Sequence, residues 1–340
     1  VAGTVLHLAF GFWHWSLIPA VWLALAAVMV ATVSAAPPAG VQPDGSVVDA
    51  AGRTISADRP FSRIISLYGA HTETLLALGL DKQIIGVSRA DELLPEAGGK
   101  PVFSYHEDPE KILAARPDLV LVRPMVERGY GRLLARLERS GIAVASFQPA
   151  SVDQMYGYWA ALGRLTGKQG AAECLIQAFK AALNGFALLR AQITTPQQVF
   201  FEAIHAKMKT FTPEAMPGFA LAQAGGINIA TDARQVRDTN IAFYGREQIL
   251  ARARDIDVYL AQSGTMNPVT VDQIIKEPGF NAIKAVRENR VYTIDEMLVS
   301  RPTPRLLEGI FQIGAILYPG IFTETARGQM RLDADCRQAP

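Results

Sequence analysis

The chain has 340 residues, of which 49% are hydrophobic and 19% charged, enough for two ordinary lobes but too polar for a membrane transporter throughout. Lys+Arg 33 against Asp+Glu 32 leaves a formal charge of +1, so no electrostatic surplus is available to neutralise a run of phosphates, and nucleic acid is disfavoured as a partner. The charge is unevenly placed: no Asp, Glu, Lys or Arg precedes Asp44, and the residues after it carry charge at about the density of a soluble domain.

The uncharged start reads as a leader. Leu17 to Val33 is a continuous apolar run, followed by Ser34-Ala35-Ala36 and then Pro37-Pro38. Residues 1–36 are therefore expected to be a signal peptide, with a retained transmembrane anchor as the alternative; either sends the body across the membrane. The two cysteines, Cys174 and Cys336, lie far beyond the leader, so neither is a lipid-attachment cysteine. In an oxidising compartment one disulfide is open to them, and two unpaired thiols is the other reading.

Residues 37–60, rich in Pro, Gly and Asp, read as a linker plus a hairpin around Val47-Val48 and Thr54-Ile55. Over 61–150 short apolar runs alternate with helical stretches: strands at Arg63 to Leu67, Ile84 to Ser88, Asp118 to Val122 and Ala143 to Phe147, and helices at Thr72 to Leu78 and Tyr130 to Ser140. Residues 151–195 carry no strand. Met155, Trp159, Leu162, Leu165, Ala171, Leu175, Phe179, Leu183, Phe186 and Leu189 form one stripe at helical spacing, interrupted only at Gly167. Some forty helical residues would reach about 60 Å, so this element is expected to span two lobes. From 196 to 320 the βα rhythm resumes, with strands at Val199 to Ile204, Val258 to Ala261 and Arg290 to Ile294 and helices at Pro213 to Ala224, Arg246 to Arg252 and Pro304 to Leu317; 321–340 is a tail. The expectation is an α/β protein of two lobes, each with a central mostly parallel sheet flanked by helices, joined by one long backbone helix.

Two segments match across that helix. Glu110-Lys-Ile-Leu-Ala leads to Asp118 and a strand, and Glu247-Gln-Ile-Leu-Ala leads to Asp255 and a strand, so both read E-x-I-L-A-x-x-x-D. Either Glu alone would be a first-turn residue complementing the helix dipole. A matched pair in a duplicated βα unit suits a twofold partner carrying Arg.

These residues, together with Arg63-Ile-Ile-Ser-Leu-Tyr-Gly-Ala-His-Thr-Glu-Thr-Leu-Leu-Ala-Leu-Gly79 and Pro109 to Leu121, resemble the class III, helical-backbone periplasmic binding proteins that deliver iron–siderophores, haem or cobalamin to ABC importers. The resemblance covers about residues 58–318. It implies a soluble, monomeric periplasmic protein that holds a metal chelate between its lobes and has no resident cofactor. It also implies that Glu110 and Glu247 dock onto Arg residues of a permease dimer.

Ligands of open α/β sheets bind beyond the carboxyl ends of strands. The loops there carry Tyr68 and His71, Tyr105 and His106, then His205, Lys207 and Lys209, and finally Arg301 in the stiff Arg301-Pro302-Thr303-Pro304. His71, His106 and His205 are the only histidines of the body, and with Tyr105 they are the candidate axial ligands to a chelated metal; the alternative is that they stack or hydrogen-bond as cleft walls. In the haem-binding members a Tyr stands on the loop before the first docking Glu, as Tyr105 does here. Lys207, Lys209 and Arg301 suit an anionic chelate. No G-x-S-x-G, C-x-x-C, H-E-x-x-H or G-x-G-x-x-G is present, which argues against an enzyme. Two other readings remain: a receptor for a bare transition-metal ion held by the three histidines, and a cofactor-handling enzyme on a nitrogenase-like two-lobe fold.

Overall fold

The first lobe opens on a small antiparallel sheet of β1 (Gly40–Val41), β2 (Val47–Val48) and β3 (Thr54–Ile55), the hairpin expected between 37 and 60. The computed structural model describes residues 39–91, 94, 97–236, 239–330 and 335–339. The leader reading for 1–36 lies outside them.

β4 (Ile64–Ser66), α1 (Gly69–Ala77), β5 (Ile84–Ser88), β6 (Val102–Phe103), α2 (Pro109–Ala114), β7 (Leu119–Val122), α3 (Pro124–Arg139) and β8 (Ala143–Ser146) follow. The strands form a sheet in the order β6-β5-β4-β7-β8, every pair parallel. β4 and β7 are buried at every residue, as apolar runs of a sheet covered on both faces must be. The chain builds outward from β4 through β5 to β6, then crosses to β7 on the other side. This reversal leaves a crevice at the carboxyl ends of β4 and β7, where open α/β sheets bind ligands.

The expectation of one helix of some forty residues is corrected. α4 (Val152–Thr166) and α5 (Gln169–Arg190) are separate, broken at Gly167, which takes the left-handed conformation (φ +69°) that closes a helix. The two fold back on one another: the rings of Trp159 and Phe179 lie 5.4 Å apart, and a side chain at Gly163 would come within 2.6 Å of the Ala172 Cβ. The apolar stripe runs through the break because both helices bury the same face. Only α5, 22 residues and about 33 Å long, joins the lobes.

The second lobe contains β9 (Gln198–Ile204), β10 (Lys209–Phe211), α6 (Met216–Gln223), β11 (Ile227–Asn228), β12 (Arg234–Gln235), β13 (Ile241–Phe243), α7 (Arg246–Ala251), β14 (Val258–Ser263), α8 (Val271–Ile275), α9 (Lys284–Arg287), β15 (Val291–Asp295), α10 (Glu296–Val299) and α11 (Leu306–Leu317). Its sheet is mixed. β9, β14 and β15 are parallel, with β11 parallel to the start of β9, whereas β10, β13 and β12 extend it antiparallel. The antiparallel strands are two or three residues long, too short to give a period in the sequence.

One core of apolar side chains runs without interruption from Ile64 and Leu119 of the first sheet, through Trp159 and Phe179, to Val199, Leu260 and Ile310 of the second lobe. The tail adds a second crossing. α12 (Glu324–Met330) lies along α5 with Met330 against Gly185; Cys336 is disulfide-bonded to Cys174, and the Arg337 backbone packs on Gly79 of the first lobe. The sequence left the thiols open; the structure pairs them. A bridge joining residues 162 apart is worth about 2–4 kcal/mol, chiefly by restricting the unfolded chain.

Candidate functional site

Tyr68 follows β4 and Arg123 follows β7, so the two stand side by side at the crevice of the first sheet. The Arg123 guanidinium lies 5.0 Å from the Tyr68 ring centroid, and its Nη2 points to Met125 Sδ at 3.6 Å. Burial raises the pKa of Tyr68 against the opposing pull of Arg123 and Arg301, so the phenol stays protonated. Beyond β6, Tyr105 and His106 form an aromatic triplet with Tyr130. Ring centroids are 4.4 to 5.1 Å apart, and the Tyr130 hydroxyl is 2.6 Å from His106 Nδ1. Tyr130 reaches this place because α3 is kinked there.

His71 is not in the cleft. It is fully buried within α1, with Nδ1 2.7 Å from the Tyr158 hydroxyl and Nε2 2.8 Å from the Val122 carbonyl. The carbonyl requires a proton on Nε2, so Nδ1 accepts from Tyr158; both nitrogens are occupied and neither is free for a metal or ligand. Burial, opposed by the Val122 hydrogen bond and aided by Arg123, pushes its pKa down to about 4. The native state therefore takes up this proton later than the unfolded chain does. The His71 contribution is whole above pH 6.5 and fades as pH falls toward 4, by about 3 kcal/mol. Denaturant unfolding of the wild type and His71→Gln should show a gap that narrows by this amount between pH 7 and pH 4; a constant gap would refute it.

In the second lobe His205 begins the turn between β9 and β10. Its Nδ1 is 2.9 Å from Oε2 of the fully buried Glu202, which also accepts from Tyr259, and its Nε2 is 3.5 Å from Glu277, which in turn holds Arg246. The Glu202 hydrogen bond raises its pKa against burial, and both ring nitrogens face carboxylates, Nδ1 toward Glu202 and Nε2 toward Glu277. Lys207 is exposed on the same turn. Lys209 is not on a loop as expected: it starts β10, with its ammonium 4.6 Å from the Phe243 ring. Phe243 and Met266, on the same strand-end edge, are 45% and 44% exposed, which marks this edge as apolar as well as cationic.

Arg301, expected to meet the ligand, ties the two lobes. Its Nη1 is bonded to Glu73 of α1, its guanidinium lies against Gly69 where any side chain would collide with it, and the next residue's carbonyl accepts from Trp159 Nε1 at 3.1 Å. The three histidines thus have separate partners, and among the described residues no three His, Cys, Asp or Glu side chains could hold a metal ion. The bare-ion reading, which needs them to converge, is not supported.

The repeated carboxylates are exposed and equivalent. Glu110 and Glu247 are each the second residue of a six-residue helix, with Ile112 and Ile249 buried beneath them. Asp108 caps the first helix, accepting from the Glu110 amide at 3.0 Å. Glu110 is bonded to Arg136 of α3, whereas Glu247 has no ion pair among the described residues.

Sequence reasoning missed Arg123, Tyr130, Phe243, Met266 and Glu73. Arg123 had a usable signal, as the first residue after a strand at the point where the sheet order reverses.

A family model described as periplasmic binding protein matches residues 64–298. An uncharacterized ABC transporter substrate-binding lipoprotein of Bacillus subtilis is 25% identical over 287 residues, 82% of this chain and 87% of the relative. A vitamin B12-binding protein of Vibrio cholerae is 24% identical over 258 residues, 75% of this chain and 88% of the relative. Among solved structures, a periplasmic heme-binding protein from Roseiflexus sp. RS-1 in apo form superposes with a TM-score of 0.64 at 25% identity, covering 76% of this chain and 98% of that one. A possible iron-binding (periplasmic solute-binding) protein from Staphylococcus epidermidis gives 0.66 at 27%, covering 76% and 100%.

Proposed function

The chain belongs to the periplasmic binding protein family, and from that premise we propose that it captures a metal chelate (haem, a corrinoid or a ferric siderophore) between its lobes and delivers it to the permease dimer of an ABC importer. It is a transport binding protein and not an enzyme, and it works outside the cytoplasm. The signal peptide over 1–36, the periplasmic address and the monomeric state are part of this proposal. The Cys174–Cys336 disulfide agrees with an oxidising compartment.

The observation that carries the chelate reading is the make-up of the two strand-end edges. On one are Tyr68, Tyr105, His106, Tyr130 and Arg123; on the other are Phe243, Met266, Lys207 and Lys209. Flat apolar contacts interleaved with cations suit a large, flat, partly anionic ligand. Of the side chains considered as axial ligands, Tyr105 and His106 fit this role: when His106 Nδ1–H donates to Tyr130, its Nε2 lone pair is free.

Absorbance and fluorescence titration of the purified protein with haem, cobalamin and a ferric tris-catecholate is the test. Saturable binding of one, with a Soret, corrin or charge-transfer band, is expected; saturable binding of none would overturn the chelate reading.

A further inference from the structure

The cations near the cleft divide by what holds them. Arg301 is bonded to Glu73, Lys209 rests on Phe243, and Lys207 stands in solvent. Arg123, like Lys209, lies over an aromatic ring, but it stands at the sheet-order reversal of the first lobe and carries a guanidinium able to bind an oxyanion in bidentate fashion. It is partly buried at the crevice of the first sheet, yet among the described residues no carboxylate pairs with it; its guanidinium has only the Tyr68 ring and the Met125 sulfur. Withdrawing a guanidinium from water is costly unless an anion compensates. An aromatic face and a thioether orient the group without neutralising it.

We propose that Arg123 is the anion-recognising residue of the cleft, held over the Tyr68 ring so that its N–H groups receive a carboxylate or other oxyanion of the bound chelate in bidentate fashion. The inference deepens the chelate reading and rests on it. Three observations converge on it: the residue follows β7 at the reversal of the sheet order, its guanidinium lies over an aromatic ring with no carboxylate partner among the described residues, and the aromatic triplet of Tyr105, His106 and Tyr130 lies at the end of β6 on the same edge. Tyr68 is then a positioning residue that acts through Arg123.

The test is equilibrium titration of the full chain and of Arg123→Gln and Arg123→Lys with haem, haem dimethyl ester, cobalamin and a ferric tris-catecholate. The anionic probe that the wild type binds tightest should lose about ten- to a hundred-fold in affinity in Arg123→Gln and less in Arg123→Lys, the scale of a hydrogen bond to a charged group. If that probe is haem, its dimethyl ester should bind the wild type as weakly as haem binds Arg123→Gln, and the two changes together should cost little more than either alone. Thermal melts confirm that the variants fold, and Arg123→Lys carries the test should Arg123→Gln not fold. Affinity in Arg123→Gln within about two-fold of wild type overturns this inference and leaves the chelate reading standing. Binding of no probe by the wild type overturns that reading and takes this inference with it.

Discussion

Uptake is expected to fall to background when Glu110 and Glu247 are both replaced by alanine, with chelate affinity of the purified protein unchanged. Two helices of six residues each carry Glu at the second position over a buried Ile, one in each lobe, so the carboxylates are presented equivalently to a partner with twofold symmetry. Both are exposed, and neither contacts the cleft residues. Each lost pair with a permease Arg should cost about 2–5 kcal/mol of association, so losing two leaves no measurable complex. The single variants should differ. Glu110 already shares Arg136, which a permease Arg must displace or tolerate, whereas Glu247 is unencumbered among the described residues. Glu247→Ala should therefore be the more damaging single change. Folding stability should barely move, since a first-turn carboxylate contributes about 0.3–1 kcal/mol. Transport by proteoliposomes containing the importer, set beside titration of the free protein, reads both halves. A double variant that still transports, or one that loses chelate affinity, sinks the docking assignment.

What could be read from the sequence was whatever is written locally. The strands around Ile64-Ile65, Leu119 to Val122 and Val258 to Ala261 are apolar runs bounded by turns, and the structure has strands there. The Glu-x-Ile-Leu-Ala repeat declared two equivalent helices because its buried and exposed positions recur at fixed spacing. Gly167 was visible as an interruption but not as a break, since a helical hairpin and a straight helix share one apolar period when both bury the same face. β10 and β13 are three residues each, shorter than any period that could reveal them. The site was legible by position and illegible by partnership. His71 and His106 both follow strands by a few residues, yet one ring is locked between Tyr158 and Val122 while the other sits on the cleft edge with Tyr130. Arg123 and Arg301 read alike as arginines before a proline. One lies over a tyrosine ring with no carboxylate among the described residues; the other is tied to a carboxylate 228 residues away. Whether a charge is free or compensated depends on what the other lobe brings to it, and no window of sequence contains that.

The second large effect is expected from cutting that tie. Arg301→Met should destabilise the protein by up to about 3–5 kcal/mol, because it removes the ion-pair partner of Glu73, 7% exposed, and leaves only the field of Arg305 to offset its burial. Burial already raises the Glu73 pKa above the ordinary carboxylate value despite Arg301 and Arg305, so losing the Arg301 guanidinium shifts it further in the same direction. The penalty in Arg301→Met should therefore grow as pH rises above the unfolded-state carboxyl value and shrink in acid. Glu73→Gln should be milder. Asp91 Oδ1 is 2.8 Å from the point above Gly69 that the guanidinium crowds, which gives Arg301 a second carboxylate to turn to, and burial raises the Asp91 pKa as well. The double variant Glu73→Gln/Arg301→Met, with neither charge of the direct pair present, should recover much of the loss, since replacing a buried pair is far less costly than breaking one. The melting temperature reads this order, with Arg301→Met lowest by roughly 5–15 °C at neutral pH. A melt of Arg301→Met within a degree or two of wild type would mean that α5, the continuous core and the disulfide-held tail fix the lobes without the tie. The geometry argues otherwise, because Arg301 and the Pro302 carbonyl engage α1 and Trp159 of the opposite lobe from two successive residues, and a bond broken at one loosens the seat of the other.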